Sequence, residues 1–122
     1  MKVKKILIIE DNLQILDNTK ELLELEGYTV LTAKNGIEGI EIAINNTPDL
    51  ILCDIMMPLK NGYEVLTELK AIENTSRIPF IFVTASAEKS EVAAGLNHGA
   101  FDYISKPFDY DHLIALIKKT IN

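Results

Sequence analysis

Asp49-Leu50-Ile51-Leu52-Cys53-Asp54-Ile55-Met56-Met57-Pro58 carries an unbroken apolar tetrad closed by a carboxylate. Four consecutive apolar residues without polar alternation read as a strand covered on both faces, the habit of parallel sheets packed between helices. Ile6-Leu7-Ile8-Ile9 has the same character and also ends in carboxylates, Glu10 and Asp11. Parallel neighbours need crossover connections, so the residues between these two stretches must supply helices.

Working outward, Lys4 to Ile9, Tyr28 to Ala33, Asp49 to Cys53, Ile78 to Val83 and Phe101 to Ser105 are short and rich in branched or aromatic residues, which predicts five strands. Between them Ile15, Leu16, Thr19, Leu22 and Leu23 recur at helical spacing, as do Ile37, Ile40 and Ile44 and, later, Leu113, Leu116, Ile117 and Ile121. Asn35-Gly36-Ile37-Glu38 and Asn61-Gly62-Tyr63-Glu64 each place a Glu three residues after an Asn, which predicts capped helix starts of the capping-box kind rather than hairpin turns. Ser86 and Asp109 suit the caps of the last two helices, and Gly27 the end of the first.

Five strand-helix units in a single domain of residues 1–122 predict an α/β fold, a doubly wound five-stranded parallel sheet with helices on both faces. The mixed stretch Tyr28 to Thr32 suits an edge and the continuous ones suit the interior, which favours strand order 2-1-3-4-5.

Composition bounds the function. A net charge of -6 and a pI near 4.8 argue against binding a phosphate backbone, which depends on Lys and Arg. A single cysteine, Cys53, cannot form an internal disulfide and suits a reducing compartment, so the cytoplasm is the expected location. The short apolar run after Lys5 is interrupted by Glu10 and Asp11, so neither a signal peptide nor a membrane span is expected.

In open α/β sheets ligands bind beyond the carboxyl ends of the strands, where the strand order reverses. Those ends carry Glu10 and Asp11 after the first strand, Asp54 after the third, Thr84 after the fourth and Lys106 after the fifth. Three carboxylates and one ammonium leave about two excess negative charges, which a divalent cation would neutralise. Oxygen ligands select a hard metal, and Mg²⁺ in particular keeps waters and holds phosphate oxygens. Asp54 would then serve as a carboxylate nucleophile toward phosphorus, Lys106 would stabilise phosphoryl oxygens, and the Thr84 hydroxyl would donate a further hydrogen bond. Each residue alone has a plain structural reading: a turn carboxylate, a strand threonine, a surface lysine. Their coincidence at strand ends favours a site.

Ile8-Ile9-Glu10-Asp11-Asn12, Asp49 to Pro58, Asn61-Gly62, Val83-Thr84-Ala85 and Gly99-Ala100-Phe101-Asp102-Tyr103-Ile104-Ser105-Lys106-Pro107-Phe108 together resemble the receiver domain of two-component response regulators, across essentially the whole chain. The resemblance implies the flavodoxin-like (βα)5 fold and a phosphorylation-dependent signalling switch rather than a turnover enzyme. It implies that Asp54 accepts phosphate from a histidine kinase or histidine phosphotransfer protein. Asp11, Asp54 and the Met56 backbone carbonyl would bind Mg²⁺, or Mn²⁺ in its place, with Glu10 acting through a metal-bound water. Thr84 would move toward the phosphoryl group and Tyr103 would change rotamer, altering the face formed by the fourth helix, fifth strand and fifth helix. That face would contact a downstream protein or a second copy, the chain being a monomer or a phosphorylation-dependent dimer. The Lys106-Pro107 bond corresponds to a position that is usually cis. Met56 and Ser86 stand at variable positions that govern phosphoryl lifetime, and Phe101 replaces a usual small or acidic residue.

Rival classes fare worse. A phosphatase of the haloacid dehalogenase type needs a second Asp two residues after the nucleophile, where Met56 stands, and a cap domain. No Gly-rich loop follows the first strand, which disfavours a nucleotide-binding flavodoxin-like protein. A module that keeps the fold but not the chemistry would have no need of all five polar residues. No effector domain is present within residues 1–122, so the chain would act by partner binding or as a relay, or belong to a longer regulator or hybrid kinase. Of the remainder, Cys53 reads as core, His98 and His112 as surface or helix-end residues, and Met56 and Met57 as packing beside the site; without the resemblance, Tyr103 reads as packing too.

Overall fold

The structure is a computed structural model that describes residues 3–85, 94–97 and 99–121. Strands β1 (Lys5–Ile9), β2 (Thr29–Ala33), β3 (Leu50–Cys53), β4 (Phe80–Thr84) and β5 (Asp102–Ser105) alternate with helices α1 (Leu13–Leu25), α2 (Gly36–Asn46) and α3 (Gly62–Lys70). Residues 94–97 are helical and are labelled α4, and α5 (Tyr110–Ile121) follows β5. The strands pair in parallel in the order β2-β1-β3-β4-β5, as the apolar pattern predicts.

Side chains alternate across a strand, so each continuous apolar run feeds two cores. Leu7, Ile9, Ile51, Cys53, Phe80 and Phe82 point to one face and pack with Ala43, Val65, Leu66 and Leu69 from α2 and α3. Ile6, Ile8, Leu50, Leu52, Ile81 and Val83 point to the other and pack with Leu16, Leu23, Leu113, Leu116 and Ile117 from α1 and α5. Each large side chain fully buried there contributes about 1.5–3 kcal/mol of transfer free energy. Cys53 lies in the first core, as expected.

The helix starts follow their caps. The Asn35 side chain accepts a hydrogen bond from Glu38 N, and Asn61 and Glu64 form the full reciprocal box. Asp109 Oδ1 accepts from Asp111 N at the start of α5. Gly27 has φ +95 after α1, a conformation that glycine adopts without steric cost. The expected cap Ser86 and His98 lie outside the described residues, while His112 is exposed.

Three local expectations need correction. β4 begins at Phe80 rather than Ile78, since Pro79 has no N–H to offer the ladder, and it extends to include Thr84. Met56 does not pack beside the site: it is 68% exposed, whereas Met57 packs against the first core. Tyr103 is 37% exposed, its side chain outside both cores. Among the described residues no helix is long and apolar enough to cross a membrane.

Candidate functional site

Two ladder bonds beyond the strand ends assemble the acidic residues. Glu10 N donates to Ala33 O at 3.0 Å and Asp54 N donates to Ile9 O at 3.0 Å, which sets Asp54 beside the end of β1. From the far side, Lys106 N donates to Thr84 O at 2.8 Å, fixing the residue after β5 against the end of β4. The Lys106-Pro107 bond is cis, in keeping with the resemblance.

Lys106 reaches across the mouth of the sheet. Its Nζ donates to Glu10 Oε1 and to Asp54 Oδ2, the latter at 3.1 Å. The second oxygen of each carboxylate is held by backbone: Asn12 N donates to Glu10 Oε2 at 3.2 Å and Met56 N donates to Asp54 Oδ1 at 3.3 Å. Asn12 also caps α1 through its side chain, so the loop that bends away from β1 is tied to both the helix and Glu10.

Carboxylate oxygens of Glu10, Asp11 and Asp54 lie within 4.8 Å of one another. Glu10 and Asp54 are buried, and Asp11 is exposed at the rim. Burial is the main influence raising the pKa of Glu10, and the charge of Asp54 adds to it; the hydrogen bonds from Lys106 and Asn12 N offset part of the rise. For Lys106 burial lowers the pKa, but the bond to Glu10 and the negative charges of Asp54 and Glu10 outweigh it, leaving the ammonium above its ordinary value. Burial, then the charges of Asp54 and Glu10, push the Cys53 thiol well up, so it stays protonated and inert.

One cation among three carboxylates leaves an excess of negative charge open to solvent on the Asp11 side. Such a set of hard oxygen donors fits a small divalent cation such as Mg²⁺, which accepts few carboxylates and retains waters. Thr84 is fully buried at the end of β4 and Tyr103 lies on the neighbouring strand, paired in register with Phe82.

Two features here escape a reading of the sequence. Asn12 acts through its backbone amide, which has no sequence signature. Gly62, read only as part of a helix start, packs directly behind Asp54: a Cβ on it would stand 2.5 Å from Asp54 O and 2.9 Å from Ile55 Cα. A glycine at the first position of a helix, directly after its Asn61 cap, is the signal that a close backbone approach leaves.

The response regulator receiver domain family matches residues 6–118. The transcriptional regulatory protein CpxR of Escherichia coli K12 is 38% identical over 116 residues, covering 95% of this chain and 48% of CpxR. The chain spans about half the length of the curated relatives it matches. Among solved structures, the CheY-like response regulator receiver domain protein of Methanospirillum hungatei JF-1 superposes with a TM-score of 0.92 at 36% identity, covering 98% of this chain and 94% of that one. The receiver domain of sensor histidine kinase PA1611 from Pseudomonas aeruginosa PAO1, solved with a magnesium ion in its active-site cleft, superposes with a TM-score of 0.90 at 32% identity, covering 98% of both chains.

Proposed function

The chain belongs to the response regulator receiver domain family of two-component systems, and from that premise we propose that it is a signalling switch whose phosphoacceptor is Asp54. A receiver domain is not a turnover enzyme on an external substrate. The observation that carries the proposal is the convergence of Glu10, Asp11, Asp54 and Lys106 at the carboxyl end of the sheet, with Lys106 bonded to two of the three carboxylates.

The donor is a phosphohistidine on a histidine kinase or phosphotransfer protein. An Asp54 oxygen attacks phosphorus, the new O–P bond forms as the N–P bond breaks, and the imidazole leaves with its electron pair. Lys106, already 3.1 Å from Asp54 Oδ2, stabilises the transferred oxygens with a fixed positive charge. Asp11, Asp54 and the Met56 carbonyl would hold Mg²⁺, with Glu10 acting through a water; Mn²⁺ has the same preference for oxygen. When bound, the ion supplies charge neutralisation among the carboxylates and at the phosphoryl oxygens.

Phosphorylation replaces a carboxylate by a group with more charge and three strong acceptors. Thr84 would turn its hydroxyl to one of them, and Tyr103, now partly exposed, would move toward the space this leaves. The surface formed by α4, β5 and α5 would change with it, and its exposed Leu96, Phe101 and Tyr103 suit contact with a downstream protein or a second copy. We read residues 1–122 as a single receiver unit that works by this contact, without nucleic acid of its own, in the cytoplasm.

Beryllofluoride titration followed by ¹⁹F NMR tests the reading. Bound fluoride signals that require both Mg²⁺ and Asp54 are expected, and their absence from the wild type would contradict it.

A further inference from the structure

Phe82 is 1% exposed and its ring is held between two glycines from different helices. A Cβ on Gly62, at the start of α3, would stand 3.1 Å from Phe82 Cε1, and one on Gly95, in α4, would stand 2.5 Å from Cε2 and 3.0 Å from Cδ2. The two glycines therefore grip opposite edges of one ring. Tyr63 and Phe80 pack against it edge-on, with centroids 5.3 and 5.2 Å away. Gly62 in turn lies against Asp54 O and Ile55 Cα, and its N donates to Ile55 O at 2.8 Å. A continuous line of contact runs from the backbone of Asp54 through Gly62 and the Phe82 ring to Gly95.

We infer that Phe82 is the mechanical link that couples the state of Asp54 to the position of α4, a route separate from the one through Thr84 and Tyr103. The inference rests on Asp54 being the phosphoacceptor. Close-packed interiors are nearly incompressible, and a ring gripped at both edges cannot absorb a shift of the Asp54 backbone by moving into free space. A displacement at Gly62 is passed to the α4 backbone because Gly95 presents no side chain that could deform. Both glycines are needed: a side chain at either position would collide with the ring or with the Asp54 carbonyl.

The test compares wild type, Phe82→Leu and Phe80→Leu, each treated with acetyl phosphate and Mg²⁺, checked for the adduct by intact mass, and then followed by hydrogen exchange in the peptide carrying residues 94–97. Phosphorylation should change exchange there in wild type and in Phe80→Leu, while Phe82→Leu forms the adduct but shows a change at least about threefold smaller. A full response in Phe82→Leu, or an equal loss in Phe80→Leu, overturns the link and leaves the phosphoacceptor reading intact. No adduct on the wild type overturns both. A second arm uses Gly95→Ala, which pushes the ring from the α4 side. Because binding couplings are reciprocal, the affinity for beryllofluoride with Mg²⁺ should shift by about threefold or more, and Phe82→Leu in that background should restore it. Unchanged affinity in Gly95→Ala overturns the link.

Discussion

Lys106 Nζ stands 3.1 Å from Asp54 Oδ2, although the two residues are 52 positions apart in the chain, and the same ammonium bonds Glu10 from 96 positions away. The site is thus neutralised, in part, by one cation delivered from the opposite end of the sheet. Replacing it by Lys106→Met leaves two buried carboxylates without their partner. Chelator-treated protein should lose about 2–3 kcal/mol in urea unfolding, the cost of orphaning buried charge, and Mg²⁺ should recover part of it. Adduct formation should slow by at least about tenfold. Wild-type stability in this variant would show that the pairing matters little.

Glu10 gives a prediction with a definite pH signature. Its folded pKa is raised above the ordinary 4.5, chiefly by burial. Such a group contributes stability that is fully present below the ordinary value and is lost as pH rises through the folded value. At neutral pH Glu10 therefore costs stability relative to a neutral side chain, even with its bond to Lys106 included. Without Mg²⁺, Glu10→Gln should melt about 2–5 °C higher than wild type at pH 7. The gap should close as pH falls toward and below 4.5. A gap that widens on acidification would reverse the sign of the argument.

Asp11 is the exposed carboxylate of the cluster, at its open rim. Asp11→Asn should change the fold little while weakening Mg²⁺ binding at least about tenfold, read by isothermal titration calorimetry. Phosphorylation should slow in parallel. Unaltered Mg²⁺ affinity would remove Asp11 from the metal site.

Leu59 sits at φ +71 with 71% of its surface exposed, so a branched side chain occupies a left-handed position without burial to offset it. Left-handed backbone costs a non-glycine residue about 1–2 kcal/mol, of which glycine's greater unfolded freedom takes back part. Leu59→Gly should accordingly stabilise the domain by about 0.5–1 kcal/mol in chemical denaturation. Destabilisation would mean that Leu59 makes contacts that outweigh the strain.

The sheet was legible because Ile6 to Ile9 and Leu50 to Cys53 are apolar at every position, a pattern that only doubly covered strands require. Strand order and the polar residues at strand ends followed from that and from topology, which is why Glu10, Asp11, Asp54, Thr84 and Lys106 could be named together. What the sequence did not disclose are relations set by tertiary distance. Nothing in the chain says that Lys106 divides its bonds between Glu10 and Asp54, that Asn12 holds Glu10 through a backbone amide, or that Phe82 is wedged between Gly62 and Gly95. Met56 misled because an apolar residue next to a strand is usually packed, and here the loop turns it to solvent. The start of β4 misled because Ile78 fits a strand by composition, while Pro79 withholds the donor that pairing needs.

Intact-mass spectrometry after incubation with acetyl phosphate, with and without Mg²⁺, on wild type and Asp54→Asn, tests the central claim most directly. The account predicts one added phosphoryl group that appears only when both Mg²⁺ and Asp54 are present. A wild type that stays unmodified in rapidly quenched samples, or an adduct that persists in Asp54→Asn, would contradict it.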